Sequence, residues 1–310
     1  MVAARAPAKV NLRLAVGERG DDGYHPLATV FQAVALWETV VATRRDDGEV
    51  TVAMDVQPTI QVAEGAVPLD ETNLAVRAAR AVAERYGVTA GVDLRIVKGV
   101  PVAGGMAGGS ADAAAALVAT SEVWATSATR SELAELAADL GSDVPFALHG
   151  HTAIGRGRGD ELAPALARGE FHWVFATRAE GLSTAAVYAE FDRAVDAGER
   201  LVAAPILDDD LMMGLRAGDA TLVGASLAND LAPAALALAP ELSRTLDVAR
   251  EAGALGAMVS GSGPTVAALG RSRQHALAIA AAISAADVAD AVLVASGPAS
   301  GAAVVAVEEA

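Results

Sequence analysis

The chain has 310 residues, a net charge of −16 and an apolar fraction of 53%, with aromatic residues at only 4%. That charge excludes a general affinity for nucleic acid or anionic membrane, since either needs a basic face, and the apolar content excludes disorder. With no cysteine, disulfides, thiolate metal sites and cysteine nucleophiles are excluded as well.

The length suits two domains, or one large one with a shared core. The longest apolar stretch, Ala276–Ala286, is interrupted by Ser284 and falls short of the ~18 residues a spanning helix needs. Met1–Val16 carries Arg5, Lys9 and Arg13 without a continuous apolar centre, unlike a signal peptide. A cytoplasmic protein is expected, a monomer or weak homodimer acting on a small molecule, with neither nucleic acid nor membrane as partner. Of 23 basic residues only Lys9 and Lys98 are lysines. Either they are left by chance, or these positions need a compact ammonium that arginine cannot supply.

In chain order, Ala8–Val16 reads as a strand and Gly17–Tyr24 as a turn. Thr29–Ala35, Thr39–Thr43 and Glu49–Val56 read as further strands. Asn73–Tyr86 is an amphipathic helix stopped by Gly87, with Leu74, Val76, Ala79 and Val82 inward. Strand Val92–Val97 leads into a glycine-rich loop and a helix from Ser110 to about Val123. Ser131–Leu140 is a helix with Glu132 in its first turn. Gly150–Asp160, with four glycines in eleven residues, reads as a mobile connection and the domain boundary. Beyond it, helices at Thr184–Ala197, Glu241–Ala252 and Arg273–Ala286 mix with strands at Trp173–Thr177, Ala257–Ser260, Thr265–Leu269 and Ala291–Ala295. Irregular mixing of this kind predicts an α+β fold.

Lys98–Ala116 (KGVPVAGGMAGGSADAAAA) places Gly104, Gly105, Gly108 and Gly109 in a loop between a strand and a helix. Backbone N–H groups there, with the positive end of the helix dipole, form an anion site that needs no side-chain charge. No Gly-Lys-Ser/Thr follows, and the dinucleotide spacing is absent. The other reading is a flexible turn with Ser110 as a helix N-cap. The pattern Pro-x-x-Gly-Gly-x-x-Gly-Gly-Ser-x-Asp-Ala-Ala resembles the phosphate loop of the GHMP kinases. The resemblance implies a two-domain α+β kinase fold with the site in the cleft between domains. Residues 1–150 would bind nucleotide and 151–310 the acceptor. It further implies ATP and Mg²⁺ as cofactors. Nucleotide contacts would come from Pro101, Val102, Ala103, Gly104, Gly105, Met106, Ala107, Gly108, Gly109, Ser110 and Ala111, with Ser110 near the metal. Met106-Ala107 and Ala111 depart from the usual pattern, and the second departure removes a hydroxyl.

Three more segments narrow the resemblance. Ala6–Asn11 (APAKVN) and Asp22–His25 (DGYH), followed by Thr29–Gln32, are similar to the diphosphocytidyl-methylerythritol kinases within that superfamily. The resemblance puts Asn11 on the substrate and Tyr24 and His25 on its cytosine. A phenol face can stack on a base and an imidazole can bond its edge, although DGYH alone can be a hairpin turn. In Leu140–Leu148 (LGSDVPFAL), Asp143 reads as the N-cap of the next helix or, by resemblance, as the catalytic carboxylate facing Lys9. Ser260–Thr265 (SGSGPT) reads as a hairpin turn; by resemblance Gly261, Ser262 and Gly263 lie at the substrate. Gly181–Thr184 and Asn229–Leu231 also resemble family segments. His149-x-His151 is read as a coincidence in a loop, not a metal site. The expected activity is phosphorylation of a cytidylyl sugar alcohol. Another GHMP acceptor, such as mevalonate, phosphomevalonate or homoserine, and a non-catalytic nucleotide sensor are the competing readings.

Overall fold

A computed structural model describes residues 1–63, 65–102 and 104–306. Strands β1 (Val2–Val16), β2 (Leu27–Arg45) and β3 (Val50–Val56) precede helix α1 (Leu74–Tyr86), strand β4 (Gly91–Lys98) and helices α2 (Gly108–Val123), α3 (Arg130–Leu140) and α4 (Val144–His149). Next come β5 (Thr152–Arg156), β6 (Glu161–Pro164), β7 (Phe171–Thr177), α5 (Thr184–Asp196), α6 (Asp209–Ala217) and α7 (Ala220–Ala225). Then follow β8 (Ala228–Asn229), α8 (Ala232–Leu238), α9 (Leu242–Glu251), β9 (Gly256–Val259), β10 (Val266–Gly270), α10 (Arg273–Ala285), β11 (Ala291–Gly297) and β12 (Ala303–Val305).

Among the described residues the first sheet runs β12-β1-β2-β4-β3, with β5 and β6 continuing from β2 and β8 beside β1. The second is antiparallel, in the order β11-β7-β10-β9. The inner part of β1 is buried on both faces, because helices cover one side and the second half of the chain covers the other. A strand covered twice is apolar without alternation. The alanine-rich α2 lies across β1 and β2 with α1 and α4 beside it, and methyl side chains let this fully surrounded helix approach closely. Between the sheets, Val10 and Leu12 meet Phe171, Trp173 and Phe175, and the Trp173 indole donates to Gln32 Oε1 at 2.9 Å. Asn73 caps α1 by accepting from the Ala75 N–H, and Thr129 with Glu132 forms a capping box on α3. None of these helices is long and apolar enough to cross a membrane.

The expected α+β class holds, with corrections. Thr29–Ala35 and Thr39–Thr43 belong to one strand. The pairing of β1 with β2 shifts register between Pro7 and Ala8, and this irregularity interrupts the alternation that sequence reading depends on. Gly150–Asp160 is not a loose connection: Thr152–Arg156 pairs with β2. Its Gly155 serves packing, since a Cβ there would lie 2.7 Å from the Phe31 ring. A cut after residue 150 therefore does not separate the sheets, because β5, β6 and β12 all extend the first one. Leu74, expected inward, is only partly buried. Helices α6, α7 and α8 were not anticipated.

Candidate active site

Lys9 projects from β1, two residues before Asn11 and so on the same side of the strand. Its ammonium donates to Asn11 Oδ1 at 2.5 Å and lies 4.0 Å from Asp143 Oδ2. Burial pushes the Lys9 pKa down, and the Asp143 charge opposes that shift. Asp143 occupies the N-cap position of α4, but its side chain caps nothing. Its carboxylate is therefore unspent and about one third exposed. Sequence spacing could not bring residues 9 and 143 together; the packing of α4 on β1 does.

The glycine loop begins where β4 ends at Lys98. Helix α2 starts at Gly108, two residues before the expected Ser110. Its N-cap is Ala107 at φ +61°, without a side-chain bond, and no acidic residue stands in the first turn. The first N–H groups of a 16-residue helix are thus left for an anion. Ser110 is not a cap; it lies in the first turn, half-buried at the cavity wall. The Lys9 N–H donates to Met106 O at 3.2 Å and ties the loop to β1.

A second turn, Ser260–Thr265, packs on this loop backbone to backbone. Gly105 has φ +69°, and a Cβ there would sit 2.3 Å from Ser260 O. Gly261, at φ +58°, leaves room for Lys9, whose Nζ would be 3.3 Å from an added Cβ. Asn229 holds the turn by donating to Val259 O and Gly261 O, and the Ser262 and Thr184 hydroxyls meet at 2.9 Å. In Gly105→Ala the clash and the left-handed backbone cost about 1–3 kcal/mol. Calorimetric ATP affinity is expected to fall roughly tenfold; unchanged affinity would mean the two turns do not set the loop.

Both turns and the Lys9–Asp143 pair line one cavity of about 1260 Å³. On the loop side its wall is Pro68, Asn73, Leu74, Lys98, Val102 and Ser110. On the opposite side stand Tyr24, His25, Arg158, Tyr188 and Asp192. The Arg158 guanidinium lies 3.5 Å from the Tyr24 ring centroid and 3.3 Å from Asp22. His25 Nδ1 is 2.9 Å from Gly17 O and Nε2 is 3.1 Å from Asp192 Oδ1, so a base reaching this imidazole must displace Asp192. Burial, then the Asp143 charge, pushes the Tyr188 phenol up to about 12.

Two family descriptions match: "GHMP kinases N terminal domain" over residues 73–151 and "GHMP kinases C terminal" over 211–289. The 4-diphosphocytidyl-2-C-methyl-D-erythritol kinase of Thermobifida fusca is 52% identical to the chain, covering 98% of each. That of Streptomyces avermitilis is 51% identical, covering 98% of this chain and 99% of the relative. The chain belongs to the 4-diphosphocytidyl-2-C-methyl-D-erythritol kinase family of the GHMP kinases. A crystal structure of a 4-(cytidine 5'-diphospho)-2C-methyl-D-erythritol kinase superimposes with a TM-score of 0.74 at 31% identity, over 95% of this chain and 98% of the other. A homoserine kinase from Cytophaga hutchinsonii, at 20% identity, shares the fold with a TM-score of 0.75 over 98% and 97%.

Within this kinase the predicted residues divide. Lys9, Asn11, Tyr24, His25, Asp143, Gly261 and Ser262 share the cavity with Pro101, Val102, Gly104, Gly105, Ala107, Gly108, Gly109 and Ser110. Met106 and Ala111 do not line it. Both side chains are fully buried, Met106 beside Val10 and Val100 and Ala111 within the helix core, because loop and helix each need one anchored side. Gly263 lies behind the turn, and Ala103 is outside the described residues.

Sequence reading missed Tyr188, although Ala185, Tyr188, Ala189 and Asp192 form one face of α5 at helical spacing and all line the cavity. It also missed Glu38 and Asp112, which sandwich Lys98 at 2.6 Å and 2.7 Å. Glu38 Oε2 accepts from the Gly99 N–H at 3.0 Å. The cluster thus joins β2, the end of β4 and α2 beneath the glycine loop. Burial, then the Asp112 charge, pushes Glu38 up to about 8 against the pull of Lys98. No cluster of three or more His, Cys, Asp or Glu able to hold a metal occurs among the described residues.

Proposed function

We propose that this kinase transfers the γ-phosphoryl group of Mg·ATP to the 2-hydroxyl of 4-diphosphocytidyl-2-C-methyl-D-erythritol, a step of non-mevalonate isoprenoid precursor synthesis. The observation that carries the reading is the Lys9–Asp143 pair, set in one cavity between an anion-binding loop and an aromatic wall. The triphosphate lies on the N–H groups of Gly108–Ser110, and the cytidylyl end lies against Tyr24 and Tyr188. Asp143 takes the proton of the acceptor hydroxyl as its oxygen bonds phosphorus and the bond to ADP breaks. Lys9 balances the charge that develops there. Positioning dominates, since the acceptor hydroxyl is tertiary and crowded.

The side chains suit a Mg²⁺ that would arrive on the triphosphate, with the Ser110 hydroxyl the side chain that would hold it, and do not suit a resident protein cage. Such an ion would supply neutralisation of phosphate charge. Tyr24 and His25 of the first half and Tyr188 of α5 serve the cytosine, and the Ser260–Thr265 turn lines the acceptor side.

The aromatic wall counts against mevalonate, phosphomevalonate and homoserine, which carry no base. The carboxylate–ammonium pair counts against a sensor. ADP release on purified protein is expected with the cytidylyl acceptor and not with the other three; turnover with any of those instead would overturn the assignment. Tyr24→Ala should raise KM for that acceptor about tenfold or more, from the worth of base stacking, with KM for ATP nearly unchanged. Equal loss on both would point to misfolding.

A further inference from the structure

Thr29 lies on β2 opposite Leu14 of β1 and is fully buried. Its Oγ1 is 2.6 Å from Arg13 O and 2.9 Å from the Asn11 amide. A hydroxyl carries one proton, and a carbonyl oxygen can only accept. The proton therefore goes to Arg13 O, and the lone pairs face Asn11. The Asn11 atom beside Thr29 must then be the donor, Nδ2, which turns Oδ1 toward the Lys9 ammonium, 2.5 Å away. This orientation follows from the backbone carbonyl alone and not from how the amide was drawn.

We propose that Thr29 is a positioning residue for phosphoryl transfer: through its hydroxyl it fixes the Asn11 amide with the oxygen on Lys9, and so keeps the Lys9 side chain charged and aimed. The inference rests on the role assigned to Lys9 above. Lys9 depends on few partners. Asp143 faces it from α4 at 4.0 Å. β2 presents the Phe31 ring, with its centroid 5.7 Å away. Met106 O of the glycine loop takes the Lys9 backbone N–H and not the ammonium, and Gly261 packs beside Nζ. Among the described residues Asp143 is the one charged side chain paired with the Lys9 ammonium, and Asn11 Oδ1 is the one side-chain oxygen that accepts a hydrogen bond from it. Without the Thr29 hydroxyl the Asn11 NH₂ loses its acceptor, and the amide is no longer anchored with its oxygen on the ammonium.

Thr29→Val keeps the shape and removes the hydroxyl. Lys9 acts protonated, so activity is lost as pH rises through its pKa, and a lower pKa moves that alkaline limb to lower pH. In Thr29→Val, kcat is expected to fall roughly tenfold, as for a lost charge-assisted bond, with KM for ATP little changed. The alkaline limb should shift down by about one pH unit. Thr29→Ser restores both. Asn11→Asp in the Thr29→Val background offers an oxygen in either orientation and should return the limb to wild-type pH or above.

The chain has only two lysines, so ¹⁵N-lysine labelling gives two side-chain signals, Lys9 being the one lost in Lys9→Met. Its titration midpoint is expected to fall in Thr29→Val and recover in Thr29→Ser. A midpoint unchanged in Thr29→Val, or not restored by Thr29→Ser, overturns the proposal. This readout needs no acceptor. If the midpoint moves while the cytidylyl substrate is not turned over, the positioning role stands and the assigned reaction falls.

Discussion

Asp143→Asn is expected to lower kcat by about 10²–10⁴, the span of general-base assistance, while leaving ATP affinity within about twofold. The effect separates so cleanly because the Asp143 carboxylate caps nothing in α4; helix, loop and core keep every bond they had. Asparagine occupies the same volume and still accepts a hydrogen bond but cannot take a proton at neutral pH. The substitution also removes the charge that opposes the burial-driven fall of the Lys9 pKa, so the residual activity should lose its alkaline limb at lower pH than wild type. Single-turnover ADP formation with calorimetric nucleotide binding checks both halves. Turnover above about a tenth of wild type would remove Asp143 from the role.

Lys98→Met is the second large effect, and it acts on stability. The ammonium lies between two buried acidic side chains at 2.6 Å and 2.7 Å, and removing one partner of a buried ion cluster costs about 3–5 kcal/mol. Denaturant unfolding should show that loss, together with weaker ATP binding, because Glu38 also holds the Gly99 N–H at the root of the loop. Glu38→Gln provides the contrast. It leaves one ammonium with one carboxylate and retains an oxygen for Gly99, so it should cost far less.

The pH dependence has a definite sign. Glu38, raised to about 8 from its ordinary 4.5, binds its proton more tightly folded than unfolded. It contributes stability that is full below about 4.5 and declines as pH rises through about 8. Glu38→Gln should flatten that decline. An equally steep loss in the variant would assign it to another group.

The glycine loop, APAKVN and DGYH stood out in the sequence because their patterns are local, glycines at a strand–helix junction or a turn bearing an aromatic, and the structure gathers them at one cavity. Lys98 stood out only as one of two lysines. Its partners lie 60 and 14 residues away, and nothing in an isolated Glu38 distinguishes a buried acid from a solvated one. Gly150–Asp160 misled because glycine serves two purposes. At Gly155 it clears space for the Phe31 ring, and the sequence reads the same as if it supplied freedom. Helices α6 and α7 are short and were passed over for the same reason that strands β5 and β6 were. Asp208 and Asp219 cap the two helices, but elements this short are fixed mainly by the surface they pack on.

The strand that carries Lys9 also pairs with β12, Ala3 facing Val305 and Arg5 facing Ala303, and α3 reaches the same segment through Arg130 to Ala302 O. β8 adds a third long-range partner at Arg13 and Leu14. A strand made first is thus completed by segments made some 220 and 300 residues later. Such pairings are slow, because the loop must close before the contact rewards it. The sheet that carries Lys9 cannot be completed while the chain is still emerging, so the cavity that joins Lys9 to the glycine loop forms late in biogenesis, after nearly the whole chain has been synthesised.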